Sequence, residues 1–280
     1  MYTAGIDVGS TYTKAIVLDE QGSIIGKGMN ATGFRLAEAA SQAYEQALAQ
    51  CHLKTSDVAY VASTGYGRFQ VPFCDVQVTD LSAHARGACH FFPHTKTVLD
   101  VGGQTMMASR LAEGGKVRQF RLNDKCAAGT GAFLEKTARY MGYRIEEIGP
   151  LISTSKDAVG ISSVCAVFAE SEVINHVSSG STPADIMHGA IVSLVDRSVQ
   201  LMKRVQMEPE FTLVGGILRF DTMVRVVRER LKTNANVPPG DLPQYTGALG
   251  AAILAQKRLL KLQSGASEHA EFDAELVHAE

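Results

Sequence analysis

The chain has 280 residues, 45% of them hydrophobic, and a formal net charge of −2 at pH 7. This length is enough for two compact lobes, and no Lys/Arg-rich run supports binding to nucleic acid or to an anionic membrane surface. No apolar stretch approaches the length that spans a bilayer, and residues 1–4 lead directly into the first predicted strand. We therefore expect a cytoplasmic protein without a signal peptide or membrane anchor.

The first part of the chain predicts a set of hairpin strands followed by helices and one further strand. Alternating and apolar runs predict strands at 3–9, 12–18, 23–29 and 58–62, and helical spacing predicts helices at 35–52 and near 80–90. Glu20-Gln21-Gly22 is predicted as a hairpin turn, and Thr64-Gly65-Tyr66-Gly67 as the turn that ends the fourth strand.

The second part repeats this order. It predicts strands at 97–101, 105–111, 116–122 and 211–214, and helices at 128–141, 166–179, 184–206, 221–232 and 245–262. We predict an α/β protein of two related lobes with mixed sheets flanked by helices. The first lobe is 1–94 joined by the C-terminal helix at about 246–262, and the second is 95–245. Residues 263–280 are polar and are predicted to form a disordered tail.

The two predicted lobes share a glycine-containing turn that follows an apolar strand. The two copies read Gly5-Ile6-Asp7-Val8-Gly9-Ser10-Thr11 and Val98-Leu99-Asp100-Val101-Gly102-Gly103-Gln104. One constant offset of 93 positions carries Asp7 to Asp100, Gly9 to Gly102, Leu18 to Leu111, Glu20 to Glu113 and Gly22 to Gly115. Because the matches are spread beyond the turn itself, they predict a duplicated hairpin.

Both turns have the chemistry of a phosphate site, because glycine allows close approach and backbone N–H groups can surround phosphate oxygens. The phosphate-binding candidates are Gly9, Ser10, Thr11, Gly102, Gly103 and Gln104. Lys14 adds a positive charge near the first turn. Since a carboxylate and a phosphate are both anionic, Asp7 and Asp100 are predicted to hold Mg²⁺ or orient water. The alternative for each turn is a purely structural hairpin.

Two of the five cysteines have positions that suggest a function. The chain contains no Cys-x-x-Cys, and a cytosolic location makes disulfides unexpected. Cys51, Cys74 and Cys89 are interpreted as small buried residues, whereas Cys126 and Cys165 each precede a helical run. Because a helix N-terminus lowers a thiol pKa, Cys126 and Cys165 are candidate metal-binding thiolates. The alternative is a pair of buried thiols at helix starts.

Several motifs carry a family resemblance that covers roughly residues 3–258. The Asp turns, Gly215-Gly216 and Thr246-Gly247-Ala248-Leu249-Gly250-Ala251-Ala252 are similar to the ATP motifs of the actin, hexokinase and Hsp70 superfamily. The segments Asn123-Asp124-Lys125-Cys126-Ala127-Ala128-Gly129-Thr130-Gly131 and Ser163-Val164-Cys165-Ala166-Val167-Phe168-Ala169-Glu170-Ser171-Glu172 resemble a narrower family. That family contains the iron–sulfur activators of 2-hydroxyacyl-CoA dehydratases and the ATPase subunits of benzoyl-CoA reductase.

This resemblance implies an actin/ribonuclease H-like ATPase that couples ATP hydrolysis to electron transfer. It implies one 4Fe–4S cluster bridging two subunits through Cys126 and Cys165, in a homodimer or a heterodimer with a related subunit. Ferredoxin or flavodoxin would donate the electron, and a CoA-thioester reductase or dehydratase component would accept it. Asp7, Asp100 and Gln104 would then be catalytic, and Gly215, Gly216 and Gln244 would bind adenosine.

The chain departs from the activator pattern at two positions. Thr105 stands where those activators usually carry an aspartate, and the residue near Phe220 is more often a short amide. The missing carboxylate puts independent ATP hydrolysis in question and favours a subunit paired with a non-identical sister. The alternative functions are a sugar or small-acid kinase of the same superfamily and a non-enzymatic ATP-binding regulator. Neither alternative needs paired cysteines.

Overall fold

The computed structural model describes residues 1–123, 130–162 and 165–264, which form two compact α/β units. Unit 1 contains Met1–His94, Glu113–Val117 and the chain from Tyr245 onward, and unit 2 contains Thr95–Ala112 and Arg118–Gln244. No helix within the described ranges is both long and apolar enough to cross a membrane.

The described elements follow the predicted order. The strands are β1 (Tyr2–Val8), β2 (Tyr12–Leu18), β3 (Ile24–Ala31), β4 (Val58–Thr64), β5 (Val76–Gln77), β6 (Thr97–Val101), β7 (Met106–Leu111), β8 (Val117–Leu122) and β9 (Phe211–Val214). The α-helices are α1 (Leu36–Gln50), α2 (Asp80–Phe91), α3 (Gly131–Tyr140), α4 (Ile148–Ile152), α5 (Ala166–Ser178), α6 (Pro183–Arg204), α7 (Asp221–Leu231) and α8 (Thr246–Gln263).

Unit 1 is built on a five-stranded mixed sheet with the order β3-β2-β1-β4-β5. The central strand β1 pairs antiparallel with β2 and parallel with β4. Small residues let the flanking helices approach closely, since a β-carbon at Gly5 would collide with the backbone of α8 at Ala248. A β-carbon at Gly250 of α8 would likewise collide with the backbone of α2 at Ala83. The glycine-rich sequence of α8 is therefore explained by packing within unit 1.

Unit 2 repeats this plan with a four-stranded sheet of order β8-β7-β6-β9. Here β6 pairs antiparallel with β7 and parallel with β9. Leu99 of β6 and Leu213 of β9 are fully buried in one core with Phe133 of α3 and Leu194 of α6. The long helix α6 begins at Pro183, where the Thr182 hydroxyl accepts a hydrogen bond from the Asp185 N–H at 3.2 Å. Thr182 is thus an N-cap, with proline at the first helical position.

The predicted fold class is confirmed, including the duplicated hairpin. In each unit the strand that carries the aspartate pairs with its hairpin partner on one side and with a later parallel strand on the other. Strand β5 and helix α4 were not predicted, because two-residue strands and five-residue helices are too short to give a periodic pattern. Predictions for 124–129, 163–164 and 265–280, including Cys126 and most of the tail, lie outside the described residues.

Candidate functional site

The first aspartate turn is built around a buried ion pair. Asp7 is the penultimate residue of β1, and only 5% of its surface is exposed. Lys14 lies directly opposite Asp7 in the β1–β2 register, and its Nζ donates to Asp7 Oδ2 at 3.1 Å. The lysine predicted to serve phosphate therefore also compensates the charge of the neighbouring carboxylate. Such pairing offsets part of the cost of burying a charged side chain.

The chain after Asp7 turns tightly and is held by a residue that was not predicted as part of the site. A β-carbon at Gly9 would lie 2.8 Å from the Tyr12 carbonyl oxygen and 3.1 Å from Lys14 Nζ, so the turn excludes a side chain there. The Thr32 hydroxyl donates to the Gly9 carbonyl at 2.8 Å, and the Thr32 N–H donates to the Thr11 carbonyl at 2.9 Å. Ser10 is half-buried and Thr11 is exposed.

A second strand end approaches Asp7 from the other side. Gly65 follows β4 with φ +89°, and a β-carbon there would lie 2.6 Å from Asp7 Oδ1. The Gly65 N–H donates to Asp80 Oδ1 at 2.8 Å, so the first residue of α2 fixes this turn. The sequence identified the turn at Gly65 but not its place beside Asp7. That placement follows from the parallel pairing of β4 with β1, in which Thr64 lies opposite Asp7.

A further residue of unit 1, Gly247, lies close to the same carboxylate and also close to His84. A β-carbon at Gly247 would lie 3.2 Å from Asp7 Oδ2 and 3.0 Å from His84 Nε2. His84 is held by its other ring nitrogen, which lies 2.9 Å from the Asp80 carbonyl oxygen. The start of α8 and one face of α2 thus complete the surroundings of Asp7. The sequence carried no local signal for His84, because it is brought in by helix packing.

Unit 2 repeats the arrangement around Asp100, which is 6% exposed. Gly215 follows β9 with φ +97°, and a β-carbon there would collide with Asp100 Oδ1 and lie 2.5 Å from the Val101 carbonyl oxygen. Gly65 and Gly215 are therefore structural equivalents, each occupying the space beside a strand-end aspartate. They were not recognised as a pair, since their separation of 150 positions differs from the 93-residue offset of the hairpins.

The turn after Asp100 is also joined to the start of α3. The Gly102 N–H donates to the Thr105 carbonyl at 2.8 Å, closing the turn. The Gly102 and Gly103 carbonyls accept from the N–H groups of Gly131 and Ala132 at 3.0 and 2.7 Å. These bonds satisfy two N–H groups of the first turn of α3. Both Gln104 and Thr105 are exposed.

The three residues assigned to adenosine meet at one end of β9. The Gly215 N–H donates to the Pro243 carbonyl at 2.8 Å, next to Gln244 in sequence. Gln244 is 7% exposed, and its Oε1 accepts from Arg219 Nη1 at 3.4 Å. Gly216 begins the short 3₁₀ turn that ends at Arg219, and a β-carbon at Gly216 would meet no atom within 4 Å. Gly215 thus borders Asp100 on one side and is bonded on the other to Pro243, the residue before Gln244.

Cys165 lies at the N-cap of α5 with a free, half-buried thiol. Val167 and Phe168, in the first turn of this helix, are 67% and 62% exposed. Cys51, Cys74 and Cys89, which the sequence predicted to be buried, are half-buried. Burial raises the pKa of the Cys89 thiol and keeps it protonated, while Cys51 and Cys74 donate to nearby backbone carbonyls. None of these three has the helix-start position of Cys165.

The donor groups can be compared with the two expected metal centres. In the part of the chain that the structure describes, no three His, Cys, Asp or Glu residues converge as a metal site. A buried carboxylate beside a glycine turn fits Mg²⁺, because Mg²⁺ commonly takes one or two carboxylates together with phosphate oxygens and water. Cys165 fits a cluster ligand, but a four-thiolate cluster would require Cys126 and cysteines from a second chain.

The duplicated α/β unit, with a buried aspartate and a glycine turn at equivalent strand ends, has an actin- and hexokinase-like fold. The model of the BadF/BadG/BcrA/BcrD ATPase family matches residues 4–255, and the chain belongs to this family.

Relatives with named activities match along nearly the whole chain. The chain is 40% identical to the activator of lactoyl-CoA dehydratase from Anaerotignum propionicum, over 93% of this chain and 100% of the relative. It is 35% identical to a benzoyl-CoA reductase subunit from Thauera aromatica, over 93% and 95% of the two chains. The activator of the 2-hydroxyisocaproyl-CoA dehydratase from Clostridium difficile, solved with bound ADPNP, superposes with a TM-score of 0.88 at 36% identity. That comparison covers 97% of this chain and 100% of the solved chain.

Proposed function

We propose that this chain hydrolyses ATP to drive a low-potential electron from a 4Fe–4S cluster to a dehydratase or reductase that acts on a CoA thioester. The observation that carries the proposal is the full-length match to a dehydratase activator in a chain that has both aspartate turns and a cysteine at the start of α5. A cytoplasmic location is part of this proposal.

For ATP binding, we assign the aspartate turn of each unit to phosphate. The backbone N–H groups around Ser10 and Gly103 bind phosphate oxygens, and the glycines keep side chains out of the way. Asp7 and Asp100 orient the attacking water or hold Mg²⁺, which when bound neutralises charge on the phosphates. Gln104 is exposed at the second turn and is assigned to positioning water. Gly215, Gly216 and Gln244 are assigned to adenosine.

In the proposed redox site, Cys126 and Cys165 of two chains supply four thiolates. Cys165 lies at the N-terminus of α5, where the helix dipole favours a negatively charged group such as an anionic cluster. The exposed Val167 and Phe168 beside Cys165 favour contact with a second subunit, since exposed apolar side chains next to a site commonly mark an interface. A cluster held by these cysteines would supply one-electron transfer between ferredoxin or flavodoxin and the partner. The second subunit is an identical chain or a related one.

A connection within unit 2 supports coupling between these two sites. The carbonyls of Gly102 and Gly103 bind the first N–H groups of α3, and the Asn123 N–H donates to the Met106 carbonyl at 2.8 Å. In sequence, Cys126 lies between Asn123 and Gly131, so both ends of the segment that contains it are attached to the β6–β7 hairpin. We therefore propose that a change of the phosphate turn during hydrolysis is transmitted to the residues that flank the cluster ligand Cys126.

Anaerobic purification tests this function directly. We expect a brown protein that hydrolyses ATP and passes electrons from reduced ferredoxin or flavodoxin to a dehydratase or reductase component in an ATP-dependent way. A colourless, iron-free protein that transfers phosphate to a sugar or small acid would establish the kinase alternative. Nucleotide binding without iron or turnover would establish a regulator.

A further inference from the structure

We infer that Glu172 is a positioning residue for Cys165, because its carboxylate holds the backbone of Ser162, three residues before the thiol. The inference rests on the proposed function, in which Cys165 is a cluster ligand. Glu172 lies on α5, seven residues after Cys165, which is close to two full helical turns. It acts through the backbone of Ser162.

Both peptide groups of Ser162 are held by side chains from different helices. The Ser162 N–H donates to Glu172 Oε2 at 2.5 Å, and the Ser162 carbonyl accepts from Ser193 Oγ of α6 at 2.9 Å. Ser193 is only 2% exposed. A hydrogen bond to an ionised carboxylate is shorter and stronger than one between neutral groups. Two side chains thus fix a residue that lies three positions before Cys165.

The chain before Ser162 is anchored in the same way along its length. The Gly160 carbonyl oxygen lies 3.1 Å from His176 Nε2 of α5, and the Val159 N–H donates to the Asp185 carbonyl at 3.3 Å. The Val159 carbonyl packs so closely on Gly189 that a β-carbon there would collide with it. Side chains and backbone of α5 and α6 therefore replace the hydrogen bonds that regular structure would supply.

This arrangement has a mechanical consequence for the thiol. One end of the described segment is bound to α6 through Asp185, whose carboxylate Oδ1 accepts from Ser155 Oγ and the Lys156 N–H at 2.8 and 2.9 Å. The other end is bound to α5 by Glu172. Because α5 also carries Cys165 at its start, Glu172 fixes Ser162 relative to the end of the helix that carries the thiol. Residues that orient metal ligands from outside the site contribute strongly to metal retention.

The test uses the full-length protein, purified anaerobically with its cluster, and three variants. Glu172→Ala removes the acceptor for the Ser162 N–H, Glu172→Gln keeps an acceptor oxygen, and Glu170→Ala removes a neighbouring carboxylate that pairs with Lys136 at 2.7 Å. We expect Glu172→Ala to lose its cluster to an iron chelator about 10-fold faster than wild type, or more. Glu172→Gln and Glu170→Ala should remain close to the wild-type rate.

A second readout does not depend on the cluster. In cluster-free protein, amide hydrogen exchange at residues 159–162 should be faster in Glu172→Ala and unchanged in Glu170→Ala, because only the former releases Ser162. Ser193→Ala, which removes the other anchor of Ser162, should act in the same direction and supplies a second variant if Glu172→Ala does not fold.

The outcomes separate the inference from the function on which it rests. Wild-type protein that binds no iron would contradict the proposed function. Wild-type protein with a cluster, together with wild-type chelation and exchange in a folded Glu172→Ala or Ser193→Ala, would overturn the inference alone. Equal acceleration in Glu170→Ala would also overturn it, because that carboxylate does not touch the segment.

Discussion

Asp7 and Asp100 are the residues on which the proposed ATP chemistry depends most. Both are more than nine-tenths buried, and each is bordered by a glycine whose positive φ leaves room for the carboxylate. A structural hairpin would not require a buried carboxylate at the same point of both units. The arrangement is instead suited to positioning a charge beside phosphate, which is the main requirement of phosphoryl transfer.

Replacing either aspartate should lower ATP turnover without preventing folding. We expect Asp7→Asn or Asp100→Asn to lower Mg²⁺-ATP hydrolysis by roughly 10²-fold or more, because the charge is lost while the shape is kept. Steady-state ADP release measures the effect, and iron content should remain that of the wild type. Asp57→Asn, at an exposed carboxylate that accepts from the Lys54 N–H at 2.7 Å, is the control. Unchanged ATPase rates in both site variants would remove the phosphate assignment.

Thr105 tests the departure from the activator pattern at a single position. Its side chain is exposed at the end of the second turn, so a carboxylate can be introduced there without disturbing the core. If the missing carboxylate limits hydrolysis, Thr105→Asp should raise the ATPase rate measured with saturating Mg²⁺-ATP. The uncharged Thr105→Asn, which has the shape of aspartate, serves as the control. Equal rates in wild type and Thr105→Asp would indicate that threonine is a tolerated variation.

At the level of elements, the ends of β4 and β9 decide the shape of each site. Gly65 and Gly215 place their backbones against Asp7 and Asp100, and their positive φ values are ones that residues with a β-carbon rarely adopt. Each parallel strand therefore contributes a close backbone approach to the aspartate on the neighbouring strand. The hairpin alone would leave one side of the carboxylate open.

A pair of glycine variants distinguishes backbone strain from this close contact. Gly33 also has a positive φ, +57°, but a β-carbon there would meet nothing within 4 Å. Gly33→Ala should cost about 1–2 kcal/mol in free energy of unfolding through backbone strain alone. Gly65→Ala adds a collision with Asp7 and Val8 and should cost at least about 3 kcal/mol. Thermal and denaturant unfolding measure both, and equal costs would contradict the contact.

At the scale of the whole molecule, the proposed cluster requires two chains to assemble. One chain offers Cys126 and Cys165 at helix starts in sequence, and a 4Fe–4S cluster ordinarily takes four thiolates. Two chains related by a two-fold axis satisfy that number. The apolar side chains exposed beside Cys165 are consistent with a surface that a second chain covers.

Iron stoichiometry tests this assembly. We expect about two irons per chain, which corresponds to one four-iron cluster per dimer. Cys165→Ser should lose the cluster and electron transfer but keep folding and ATP binding, and its dimer should be weaker. Cys74→Ser, in which the replaced thiol bonds the Val71 carbonyl, is the matched control and should keep the cluster. Iron analysis with light scattering measures both properties. Four irons on a demonstrated monomer would contradict the shared cluster.

The sequence by itself determined the local features of this protein. Strand and helix positions followed from periodicity, and the constant offset between Asp7 and Asp100 was enough to predict the duplication. These signals are readable because each depends on residues close together in the chain. The motifs around Cys126 and Cys165 were readable for the same reason and led to the family.

Only the tertiary structure decided which distant residues surround each aspartate. Gly65 reaches Asp7 through parallel strand pairing, and Gly247, with His84 beside it, is brought close to Asp7 by the packing of α2 and α8. Likewise, Glu172 and Ser193 meet at Ser162 because α5 and α6 lie on either side of an irregular segment. None of these contacts has a local pattern, since pairing register and helix packing arise from burying apolar surface across the whole unit. The chemistry of the turns could therefore be predicted from the sequence, whereas the residues that surround them could be identified only from the tertiary structure.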